Sequence, residues 1–270
     1  MPVGLPLSPL PCALYLLSVI QRLGSFSPVK SAFSSIRHFH VIVGLPTPTD
    51  NTLVINLLEA AKRKLVKPVK KKEPITVEVL ERMFDCKMQN QNVYNLRTVC
   101  MCLLAFAGFM RSAELLNIKH CDLLFFYSHM TVFIERSKTD VYRDGAWLII
   151  GRTETKMCPV KCMECFLEKS GLKEATNSET YLFRNLSENK PMSYTRLREL
   201  FIEAFKPYVP DIKCYGLHSL RSGGATVAAN RYIPDRMFKR HGRWRSKSAK
   251  DGSVKDSIEN RLKVSLSLGL

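Results

Sequence analysis

No stretch of eighteen or more consecutive apolar residues occurs in this 270-residue chain, so a membrane-spanning helix is not expected. Acidic residues are scarce: 24 Asp and Glu stand against 41 Lys and Arg, which leaves a formal charge of +17. That imbalance fits an enzyme of neutral metabolites poorly. It fits a polyanionic partner well, with nucleic acid the first reading and an anionic membrane surface the second. A regular cysteine framework is also missing. Nine cysteines, an odd number without even spacing, suit free thiols in a reducing compartment rather than disulfides. The apolar segment 12–20 lacks the basic flank and small-residue cleavage site of a signal peptide, and its period runs on into Arg22 and Leu23. It reads as a first helix. Neither an internal repeat nor a low-complexity tract interrupts the chain, apart from one basic run.

The periodicity of what is present predicts helices over 13–23, 28–43 and 51–66, with Pro28 and Asp50 as start signals. From Lys62 to Lys72 the chain carries seven basic residues and no acid: Lys62, Arg63, Lys64, Lys67, Lys70, Lys71 and Lys72. Pro68 and Pro74 lie within or just after that run, so residues 68–75 read as a basic linker between a helical domain, 1–67, and a second domain, 76–270. Beyond the linker, Thr76 is placed to cap a helix reaching about residue 88, and an almost wholly apolar helix over 95–110 belongs at the centre of a core. Strands over 131–136 and 147–150, joined through Tyr142-Arg-Asp-Gly145, read as a hairpin. Helices follow over 159–169, 193–206, 218–230 and 234–241. The fold class is mainly α with one small β-sheet.

Four short motifs carry chemistry. In Gly108-Phe-Met-Arg111-Ser-Ala-Glu114, Arg111 and Glu114 lie one helical turn apart on one face; taken alone, such a pair is usually a solvated ion pair. Lys138 falls in the hairpin connection, where an ordinary exposed lysine is the plain alternative. His218 and Arg221 project to one side at a helix start, and the glycines after them allow close backbone approach. In Arg240-His241-Gly-Arg-Trp244 the indole offers a donor and a flat face, against the alternative of a buried core tryptophan. Cys158, Cys162 and Cys165 have a spacing that could begin a zinc site, but no matching pair follows, so thiols are expected and no metal. From Arg236 to Lys250 there are again seven basic residues and no acid, and Arg236, Lys239, Arg240, Arg243, Arg245 and Lys247 are read as phosphate contacts.

In this order the motifs resemble the tyrosine recombinase, or phage integrase, family, whose active site combines an arginine in Gly-x-x-Arg-x-x-Glu-Leu, a hairpin lysine, a His-x-x-Arg pair, a further His or Trp, and a tyrosine nucleophile. Arg111, Lys138, His218, Arg221 and Trp244 match the first five positions. The resemblance spans nearly the whole chain. It implies a helical, SAM-like core-binding domain followed by a catalytic domain, a double-stranded DNA partner, assembly of copies on that DNA, and neither a membrane nor a small-molecule substrate. It also implies strand breakage and rejoining without a cofactor. Two arginines would stabilise the charge growing on a pentacovalent phosphorus, Lys138 would protonate the leaving oxygen, His218 and Trp244 would hydrogen-bond around the phosphate, and Glu114 and His241 would support them. Ser246-Lys-Ser-Ala-Lys-Asp-Gly252 and Glu259-Asn-Arg-Leu262 are most similar to integrases of eukaryotic Crypton and DIRS elements, which places the protein in a nucleus if its host is eukaryotic and otherwise on DNA in the cytoplasm.

The departure is at the nucleophile. The family's tyrosine follows the His or Trp position by about nine residues, and that position here is Ser253; no tyrosine follows Tyr232. Serine is shorter than tyrosine, and an aliphatic alkoxide leaves far less readily than a phenolate. Two readings stay open: a DNA-binding module that has lost cleavage, and a recombinase subunit to which a partner supplies tyrosine.

Overall fold

The structure is a computed structural model, and it describes residues 6–67, 70–136, 144–172, 179–185, 188, 190–244, 246–256, 258 and 262. The chain divides into two compact units, Met1–Lys71 and Lys72–Leu270.

The first unit holds α1 (Pro9–Leu23), α2 (Phe26–Ile42) and α3 (Thr52–Leu65). Helix α1 begins four residues before the expected 13, because Pro9 takes the first helical position, where a missing N–H costs nothing; it ends at Gly24, whose φ is 55°. Asn51, not Asp50, caps α3, its side chain accepting from the Leu53 N–H at 2.9 Å. Cys12, Leu16 and Val19 repeat at helical spacing on α1 and bury against Val29, Val54 and Ala61. Burying each large aliphatic side chain stabilises the unit by roughly 1.5–3 kcal/mol.

The second unit runs α4 (Val77–Met88), α5 (Val93–Ala107), α6 (Ser112–Leu116), β1 (Leu123–Phe125), β2 (His129–Ile134), β3 (Ala146–Gly151), α7 (Pro159–Lys169), α8 (Tyr194–Phe205), α9 (His218–Asn230), α10 (Asp235–His241) and α11 (Lys247–Asp251). Thr76 caps α4 as the sequence predicts, accepting from the Val79 N–H at 3.3 Å. Every residue of α5 from Leu96 to Ala105 is buried, so this helix is the axis of the core. The three strands form an antiparallel sheet in the order β1-β2-β3. Met130 lies opposite Ile150 and Val132 opposite Leu148, and these four turn their side chains into the main core. Strand β1 was not expected; at three residues it is too short to carry an alternating pattern. Of the expected hairpin turn, Tyr142 and Arg143 lie outside the described residues. No helix among the described residues is long and apolar enough to cross a membrane.

A smaller cluster of Phe109, Ala225, Phe238 and Trp244 gathers the end of α5, the middle of α9, and α10 with the residues that follow it. It supports the candidate site.

Candidate functional site

The site begins where α5 stops. Phe109 takes a φ of 47°, a left-handed conformation that costs a bulky residue about 1–2 kcal/mol. Its ring offsets part of that by packing edge-on to His241, with centroids 4.7 Å apart, and against Phe238 and Trp244. The reversal delivers Arg111 to the N-terminus of α6, where Glu114 accepts from the Arg111 backbone N–H at 3.0 Å and from its Nη1 at 2.6 Å. Arg111 keeps a 22 % exposed side chain; Glu114 is buried.

Helix α9 brings the second arginine. A Cβ on Gly224 would stand 2.0 Å from the Phe106 carbonyl oxygen, so only glycine lets α9 lie this close to α5. The Arg221 guanidinium thereby reaches the α5–α6 turn, donating to the Phe109 carbonyl and, at 2.7 Å, to that of Gly242, and it lies 3.9 Å from Glu114. Its carbon Cζ sits 4.8 Å from the centre of the Trp244 ring, and both residues are buried. Gly242 is required beneath that ring, because a Cβ there would lie 1.8 Å from it. Arg243 completes the cluster with a bond of 2.7 Å to Glu114.

Glu114 is therefore one carboxylate among three guanidiniums. Burial alone would raise its pKa, but the Arg243 charge, the Arg111 N–H and the Arg111 charge together hold it below the ordinary carboxylate value. Burial, then the Arg111 charge, pulls Arg221 below its ordinary value against the opposing Glu114. His218 stands at the start of α9 with its residue exposed, yet loss of hydration and the Arg221 and Arg111 charges lower its pKa. His241 donates from Nε2 to the Ala107 carbonyl at 2.7 Å; burial first, then Arg243 and Arg221, lowers its pKa as well.

The structure thus brings Arg111, Glu114, Arg221, His241 and Trp244 together, with His218 beside them. Two placements differ from the sequence expectation. Arg221 is only 1 % exposed and lies behind the surface, whereas Arg111 and His241 are half-buried and His218 is exposed. Trp244 is a core tryptophan, and the core it fills is the floor under Arg221. Lys138 lies outside the described residues, as does Arg245, and so does the Lys247 side chain. Ser253 is buried, its hydroxyl donating to the Ala249 carbonyl at 3.0 Å.

The basic residues divide. Arg236 and Arg240 are exposed on α10 and Lys239 is half-buried. Lys62, Arg63 and Lys64 are exposed in the last turn of α3, and Lys67, Lys70, Lys71 and Lys72 are exposed after it. Lys72 donates to the Lys213 carbonyl. Among the described residues no group of three His, Cys, Asp or Glu is placed to hold a metal ion, and Cys158 instead accepts the Thr153 N–H at 3.3 Å. Sequence reasoning missed Phe109, whose strained turn aims Arg111; its only signal was a bulky residue directly after Gly108.

No protein-family model matches the chain. An integrase/recombinase described as a xerD homolog, from Selenomonas ruminantium, is 25 % identical over 249 residues, covering 87 % of this chain and 71 % of that protein. The Tn1549 transposon integrase, solved with transposon right-end DNA, superposes with a TM-score of 0.61 at 14 % identity, over 98 % of this chain and 86 % of that one. The fold is that of the tyrosine recombinases. The XerH site-specific recombinase, solved in a post-cleavage complex with a palindromic difH substrate, gives 0.58 at 14 % identity, over 97 % and 72 %. Within the tyrosine recombinase fold, a mainly helical body with a three-stranded antiparallel sheet agrees with the class that the sequence pattern predicts.

Proposed function

We propose that this chain binds double-stranded DNA through the Arg111 site and its basic surfaces and does not cleave it. One observation carries the reading: a positively charged, acid-organised cluster is assembled, while Ser253, which the resemblance sets at the nucleophile position, is buried with its hydroxyl held by the Ala249 carbonyl. Arg111 and His218 meet the phosphate, and the buried charge of Arg221 acts on it from behind through a poorly screened interior. Arg236, Lys239, Arg240, Lys62, Arg63, Lys64, Lys67 and Lys70 hold further phosphates along the duplex. Copies assemble on DNA, by analogy with the lambda integrase solved as a dimer on a core site and as a tetramer on a Holliday junction. Descent from a eukaryotic mobile element of the Crypton or DIRS kind, and residence in a nucleus, belong to the same proposal and rest on the wording around Ser246–Gly252 and Glu259–Leu262.

A second reading, a subunit that becomes active when a partner supplies tyrosine, is favoured by the completeness of the Arg111–Glu114–Arg221 network. A nicked duplex that traps covalent intermediates separates the two. The chain alone should bind it and form no adduct, and adduct formation on adding a tyrosine-bearing relative would favour the second. An adduct formed by the chain alone, mapping to Ser253 or Tyr232, would sink both.

A further inference from the structure

We propose that Arg243 is a positioning residue, and that it carries no DNA phosphate although it lies in the most basic stretch of the second unit. The assignment rests on the reading of the Arg111 cluster as a phosphate site.

A guanidinium has five N–H donors in a fixed plane. In Arg243 all five point into the protein. Nη1 donates to the Gly108 carbonyl at 3.1 Å and to the His241 carbonyl at 2.8 Å. Nη2 donates to the Phe109 carbonyl at 3.1 Å and to Glu114 at 2.7 Å. Nε is buried without a partner. The side chain is 9 % exposed, and the backbone adopts a φ of 54° to turn it inward. A residue recruited for phosphate would leave at least one edge of its fork outward; none remains.

What the fork holds explains its use. Gly108 and Phe109 form the reversal that aims Arg111, His241 ends α10, and Glu114 is the carboxylate on which Arg111 rests. Arg243 therefore ties the end of α10 to both sides of the α5–α6 turn. It also adds to the charge of the cluster: three guanidiniums share the one carboxylate of Glu114, which leaves a net two positive charges for an anion. Lysine cannot substitute, because a single ammonium has no planar fork with which to bridge three carbonyls and a carboxylate.

The test is NMR of the arginine side-chain N–H groups in the full chain, with and without a short mixed-sequence DNA duplex. Arg243 signals should exchange slowly and stay in place when DNA is added, while those of Arg111 shift. Arg243→Lys should then lose the Arg111 response and about tenfold in duplex affinity, with the backbone amide spectrum away from the site unchanged. Arg243 signals that move with DNA as those of Arg111 do would overturn the assignment, and this holds even if the variant does not fold. A responsive Arg111 together with wild-type affinity in Arg243→Lys would overturn it too. A silent Arg111 in the wild-type complex would instead sink the phosphate reading of the whole cluster, and with it the purpose given to Arg243.

Discussion

The Arg221 guanidinium lies over the face of Trp244, 4.8 Å from its centre, so one contact joins the cluster's charge to its aromatic floor. Trp244 also packs on Phe109 and Phe238, with ring centroids 5.9 and 5.0 Å away. Trp244→Ala should therefore cost about 3–5 kcal/mol, the usual range for emptying a buried aromatic site. Trp244→Phe should cost less, since it keeps an apolar face under Arg221. Thermal or urea unfolding measures both, and equal losses would mean that the face itself contributes nothing.

The two motif arginines should respond differently to truncation. Arg111 is partly exposed, so Arg111→Ala is expected to melt near the wild type and to bind duplex DNA more weakly. Arg221 is buried and shared between two carbonyls and Glu114, so Arg221→Ala strands buried acceptors and should cost on the order of 3–5 kcal/mol. Parallel melts and binding titrations decide; an Arg221→Ala protein as stable as wild type would contradict its placement.

Those two arginines also mark how far the sequence could be read. Helices 159–169 and 218–230 are placed to the residue, since Pro159 marks the first helical position and the His218 motif opens directly into small apolar residues. The residues that cluster could be named from their motifs. Their depth could not, because whether Arg221 faces water or lies beneath Trp244 is set by how closely α9 approaches α5, a tertiary distance that leaves only glycines as its trace. The inward turn of Arg243 left less still, since nothing in a run of seven basic residues says which one adopts a positive φ.

Acid should weaken the second unit. His218 and His241 have folded-state pKa values below the ordinary imidazole value of about 6.5, so the unfolded chain takes up their protons first. Stability is then complete above that value and is lost as pH falls through it toward the folded values. Glu114, also lowered, adds a further loss at lower pH, as pH drops through the ordinary carboxylate range. His241→Gln should flatten the first decline in a series of melts from neutral pH downward. A transition temperature that rises on acidification would contradict both shifts.

Duplex affinity should fall linearly in log–log terms with salt, because each phosphate neutralised releases counterions. Lys70, Lys71 and Lys72 are exposed, although Lys72 is also held by the Lys213 carbonyl. Replacing all three with alanine should reduce the slope by at most about 2.7, near 0.9 for each phosphate that the variant no longer neutralises. A slope equal to that of the wild type would remove this segment from the interface.

The last prediction concerns Ser253. Its backbone is anchored on both sides: the Ser253 N–H bonds to the Lys250 carbonyl at 2.9 Å, Val254 packs on the Phe109 cluster, and the Lys255 N–H bonds to the Thr226 hydroxyl at 3.1 Å. Ser253 is only 9 % exposed, so the larger side chain of a tyrosine here is expected to reach outward from this anchored backbone. Its longer reach and better leaving group are what the serine lacks. Ser253→Tyr should therefore yield a detectable covalent adduct on a nicked duplex, and adding Arg111→Ala, which leaves the fold intact, should abolish it. An adduct from Ser253→Tyr that survives Arg111→Ala would mean that the cluster does not act on the phosphate. A silent Ser253→Tyr protein that still binds DNA would mean that more than the nucleophile has been lost, and that the cluster now serves binding alone.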